Sequence, residues 1–86
     1  METKTKISEK VLEALGFTKA FDGYFVRRVN ASSGNEYVVA LQWRNSTENW
    51  SVGIQRRGYY SADWYHGFWE IDGLKRFLNN SWGLAI

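Results

Sequence analysis

The chain has 86 residues and a formal charge of +2 from 11 basic and 9 acidic side chains. That length suffices for one domain, residues 1–86, and is too short for two. Cysteine is absent, which excludes disulfides and thiolate metal sites, and the near-balanced charge gives no global case for nucleic acid or membrane.

A chain this short buries only about 60–65% of its unfolded surface, so its core must use large side chains. Five Trp, five Tyr and five Phe supply them. Fifteen rings exceed what so small a core can hold, so some must reach the surface. The N-terminal METKTKISEK carries no apolar leader segment, and no apolar run approaches the roughly 18–20 residues that cross a bilayer. The expectation is a soluble, cytoplasmic protein without a membrane partner. The mixed charges Glu2, Lys4, Lys6, Glu9 and Lys10 read as solvation of the first helix.

In chain order, the first element is a helix over about residues 8–15. Ile7, Val11, Leu12 and Leu15 share one stripe at helical spacing. Ser8 is placed to cap it, and Ile7 and Leu12 have hydrophobic-staple spacing. Gly16 then suits a left-handed C-terminal position, with Phe17 folding back on Leu12. Asp22-Gly23 between Phe17–Phe21 and Tyr24–Val29 signals a hairpin. Asn30 to Asn35 forms a longer turn. Tyr37, Val39, Leu41 and Trp43 alternate with Val38, Ala40, Gln42 and Arg44, as a strand with one covered face does. After a turn at Asn45–Asn49, Trp50, Val52 and Ile54 alternate in the same sense. The two runs therefore pair antiparallel, with Trp43 beside Trp50. Four N-x-S/T sequences, beginning at Asn30, Asn45, Asn49 and Asn79, read as turn chemistry.

Residues 59–70 hold six aromatic rings besides His66. They read as a loop and then a strand near 64–70. Asp72 is placed to cap a second helix over about 73–79, with Leu74, Phe77 and Leu78 inward and Asn79-Asn80 ending it. Trp82, Leu84 and Ile86 form an apolar tail that should dock on the body. The fold class is α+β: an antiparallel meander of four to five strands with an N-terminal and a C-terminal helix packed on one face. Gln42, Arg44, Ser51, Gln55 and Arg57 should face water on the other.

No nucleophile elbow, P-loop or dinucleotide fingerprint occurs. The only histidine, His66, lies near Asp63, Glu70 and Asp72. The spacing of Asp63, His66 and Glu70 needs a helix to converge, and this stretch reads as extended, where Asp63 and His66 point to opposite faces. A polar residue at the edge of an aromatic loop is the plainer reading. No catalytic residue, cofactor or metal site is assigned.

Arg27-Arg28 and Arg56-Arg57 are the polar feature with most to say. On the proposed sheet Arg28, Arg44 and Arg57 share a surface with Tyr59 and Tyr60 nearby, one way to hold single-stranded nucleic acid. Arginine at strand ends is also ordinary solvated chemistry. Tyr, Trp and Arg equally favour protein interfaces. The aromatics of 59–69 either complete the core or leave an exposed patch for a protein partner or a second copy of the chain.

The motifs Leu15-Gly16-Phe17, Asp22-Gly23-Tyr24-Phe25 and Gly73-Leu74-Lys75-Arg76-Phe77-Leu78 together resemble small uncharacterised α+β proteins of gut bacteria, their phages and mobile elements. They cover under a third of the chain. Such proteins often act by binding a host protein, so the resemblance implies a binding role and no active-site residue. The expected function is therefore a non-enzymatic binding module for a protein partner or for self-association. Its expected interface is Arg57, Tyr59, Tyr60, Trp64, Tyr65 and Trp69. Single-stranded nucleic-acid binding through Arg28, Arg44, Arg57 and the tyrosines is the second reading, and an enzyme using His66 the third.

Overall fold

The computed structural model describes residues 5–86. Glu2 and Lys4 of the mixed-charge N-terminal stretch lie outside the described residues. The elements are α1 (Glu9–Ala14), β1 (Thr18–Phe21), β2 (Tyr24–Asn30), β3 (Glu36–Arg44), β4 (Asn49–Arg56), β5 (Asp63–Phe68) and α2 (Ile71–Trp82). The strands form one antiparallel sheet in the order β1-β2-β3-β4-β5, the expected meander.

Local chemistry sets both ends of α1. The Ser8 hydroxyl accepts the Val11 N–H at 3.3 Å, satisfying one free donor of the first turn. At the other end the Phe17 N–H reaches the Leu12 carbonyl at 2.9 Å and the Gly16 N–H the Glu13 carbonyl at 3.0 Å. Gly16 sits at φ +89°, so the helix ends in a Schellman motif. The neighbouring Leu15 carbonyl accepts Arg27 Nη1 at 2.7 Å, from β2. Half-buried Arg27 thus faces the helix side of the sheet and is occupied there.

Cross-strand register fixes which residues share a face. Phe25, Leu41, Val52 and Tyr65 lie in one row across β2 to β5; Arg27, Val39, Ile54 and Asp63 lie in the next. Phe25, Val39, Leu41, Trp50, Val52 and Ile54 are buried beneath Leu12 of α1 and Leu74 and Leu78 of α2, in one core. Both helices therefore cover the same face.

α2 is longer than its sequence pattern suggests. It starts at Ile71 and runs to Trp82, with Gly83 at φ +65° closing it. Asp72 is in the first turn and not at the cap. Glu70 occupies that position without a side-chain cap bond. Asn79, Asn80 and Ser81 are poor helix formers, yet Trp82 continues the Ile71, Leu74, Leu78 stripe and packs edge-on to Tyr37 and Tyr65. Burial outweighs propensity here. The tail docks as expected: Leu84 is buried and bridges to Ala31.

β5 carries a feature the sequence pattern does not show. Val52 pairs with Tyr65 but Trp50 pairs with Phe68, so His66 and Gly67 together oppose the single residue Ser51. Gly67 is at φ +91°, which an L side chain rarely adopts. This bulge turns Tyr65 and Phe68 to the same side, where both pack on Phe77 with ring centroids 4.8 and 5.1 Å away.

Candidate binding surfaces

Among the described residues no helix lies on the second face of the sheet. Register places Val26, Ala40, Gly53 and Trp64 in one row across it, with Val38 beside them. The Trp64 indole lies over Gly53. A methyl group built on Gly53 would stand 2.8 Å from Cε2 and Cζ2 of that ring. On the far side of the row, Phe21 stacks on Tyr24 with centroids 4.7 Å apart and planes 10° from parallel. Small side chains thus make a shallow floor between two exposed aromatic groups.

Polar residues ring this floor. Alternation puts Arg28, Arg44 and Arg57 on this face, as the sequence implies, but at its corners. The row of Arg44 and Asn49 lies eight residues along β4 from Arg57, about 27 Å at roughly 3.4 Å per residue. Arg57 pairs with Glu36 at 3.3 Å. Arg28 and Arg44 make no ion pair among the described residues. Of the side chains expected to meet water, Ser51 does not: it is fully buried, its hydroxyl 2.7 Å from His66 Nδ1.

Among the described residues that contact brings a hydroxyl to an imidazole. The distance suits a nucleophile and its base. Because Ser51 has no exposed surface, no substrate carbonyl can reach its oxygen. Asp63, His66 and Glu70 do not come together, and no three His, Asp or Glu side chains converge on a metal position among the described residues.

The six residues expected to form an interface are dispersed. Trp64 is on the uncovered face. Tyr65, its neighbour, faces the helices and is half-buried against Phe77 and Trp82. Tyr59 and Tyr60 lie in the loop after β4 with Arg57, where the Tyr59 N–H closes a turn on the Arg56 carbonyl at 3.0 Å. Arg56 sits 5.3 Å from the Tyr59 ring centre, a cation–π contact, while Tyr60 is fully exposed. Trp69 stands past the end of β5 and lines a cleft with Trp43 and Trp50. Sequence reasoning paired Trp43 with Trp50 but did not bring Trp69 to them; the N-terminal segment does so, through Ile7 N–H to the Trp69 carbonyl at 3.0 Å and Ile71 N–H to the Thr5 carbonyl at 2.9 Å.

Comparison with protein-family models, with curated proteins and with solved structures finds no match, so the reading of these surfaces rests on their own geometry.

Proposed function

We propose that this chain is a non-enzymatic binding module that engages a protein partner through the uncovered face of its sheet. The observation that carries the reading is the layout of that face. An apolar centre of Val26, Val38, Ala40, Gly53 and Trp64 is bordered by arginine and glutamine, the anatomy of a protein interface with its charges at the rim. Trp64 and Tyr24 supply the aromatic anchors such interfaces favour.

The same face serves single-stranded nucleic acid less well. A strand of phosphates calls for cations along a continuous track. Here the arginines stand at separate corners and one of them is paired with Glu36. The resemblance to small mobile-element proteins that bind host proteins leans the same way.

The test is affinity capture from lysate with nuclease present, using the wild-type chain, Val38→Glu, Arg28→Glu and a Tyr60→Ser control. Circular dichroism verifies that each is folded. The expected outcome is a stoichiometric protein retained by wild type and by Tyr60→Ser and lost by both face variants. Equal capture by the face variants would overturn the assignment of this surface. Material that vanishes with nuclease would transfer the face to nucleic acid.

A further inference from the structure

A second concavity lies at the opposite side of the sheet, beside the β3–β4 turn. It has a volume of about 440 Å³ and is lined by Lys6, Ile7, Trp43, Glu48, Trp50 and Trp69. Small-molecule sites have volumes of roughly 300–1,000 Å³, mostly apolar walls and a few placed polar groups. We propose that this cleft binds saccharide, taking one or two pyranose rings against the exposed indoles of Trp43 and Trp69. The inference does not depend on the partner proposed for the uncovered sheet face.

The polar groups of the cleft select among ligand classes. The Trp43 N–H is already used, donating to Asn45 Oδ1 at 2.7 Å, so this ring offers carbon surface only. Trp50 is 5% exposed and its N–H makes no hydrogen bond among the described residues. Every fully enclosed side-chain nitrogen or oxygen among the described residues has a partner. The Trp50 N–H must therefore reach the surface, and Trp50 meets the surface at the cleft. A buried ring with a free donor forms the floor. Among the described residues the rim carries one cation, Lys6, and one anion, Glu48, the latter held at φ +53° in the turn, a conformation a side chain like glutamate seldom adopts.

A cationic ligand drawn by Glu48 and the indole faces would also meet Lys6 and the Trp50 N–H dipole. An anionic one would meet Glu48 and the negative faces of the indoles. The complement is a neutral ligand with carbon faces and with hydroxyls at its edge that both donate and accept. Trp43 packs edge-to-face on Trp50, at 63° with centroids 5.5 Å apart, so the carbon surface open to a ligand is that of Trp43 and Trp69. A pyranose chair presents C–H groups to an exposed indole and turns hydroxyls toward the Trp50 N–H, the carboxylate and the ammonium.

The experiment follows the indole N–H resonances of the 15N-labelled chain. Cellobiose, maltose, lactose and N,N′-diacetylchitobiose are each titrated through the millimolar range, with adenosine and tetramethylammonium as competitors of other classes. At least one disaccharide should shift the Trp50 and Trp69 resonances saturably. Trp69→Ala should weaken that binding by about tenfold or more, and Glu48→Gln should weaken it as well without disturbing the fold. The proposal falls if none of the four sugars moves these resonances. It falls equally if both variants bind as wild type does, or if adenosine or tetramethylammonium binds more tightly than every sugar.

Discussion

Gly53 and Trp64 form a cross-strand pair in which the absence of a side chain on one strand makes room for an indole from the next. Gly53 is buried for that reason, although it lies on the face without helices. Gly53→Ala should therefore lift the Trp64 ring off the sheet. Overpacking outweighs the entropy recovered from replacing glycine, so the net expected loss is about 1 kcal/mol or more. A red-shifted tryptophan emission together with a lowered melting temperature would check this; unchanged values would mean the ring does not rest on Gly53. Arg27 shows the limit of the residue-level reading. Strand alternation separates Arg27 from Arg28, but the hydrogen bond from Arg27 to the Leu15 carbonyl depends on how α1 crosses β2. The doublet in the sequence is thus one helix-capping residue and one surface residue.

At the scale of elements, legibility follows the range of the forces involved. α1 was readable at both ends because its cap and its Schellman ending use groups within nine residues. The Asp22-Gly23 hairpin was readable for the same reason. α2 was not. Its last turn is held by Trp82 against Tyr37 and Tyr65, contacts that cross the whole molecule. α2 also contains Gly73, exposed, with ordinary helical backbone and nothing near a Cβ placed on it. Gly73→Ala should stabilise the protein by roughly 0.5–1 kcal/mol through helix propensity and reduced chain entropy. For a domain of this size that raises the melting temperature by roughly 2–8 °C. A fall in stability would mean that α2 begins after residue 73. The β5 bulge has one local signal, a glycine at position 67 inside a strand, but only the pairing of Trp50 with Phe68 fixes where the extra residue falls.

At the scale of the whole molecule, both helices, the tail and one sheet face close a single core. Leu84 is 1% exposed within that core. Leu84→Ala should cost about 2–4 kcal/mol, a large share of the roughly 5–15 kcal/mol typical of domains. Urea unfolding measures it, and a loss below about 0.5 kcal/mol, the size of an ordinary surface change, would show that the tail does not dock. Among the described residues, no helix is long and apolar enough to cross a membrane. By itself the sequence determined the order of elements, the ends of α1, the hairpin, the register of β3 on β4 and the covered face, because alternation and capping are local and repeat along the chain. Tertiary structure alone decided how the rings of residues 59–69 are shared among the core, the uncovered face, the loop and the cleft. A one-residue bulge reverses the side on which each later ring falls, and distant segments, residues 5–7 above all, then set which rings meet.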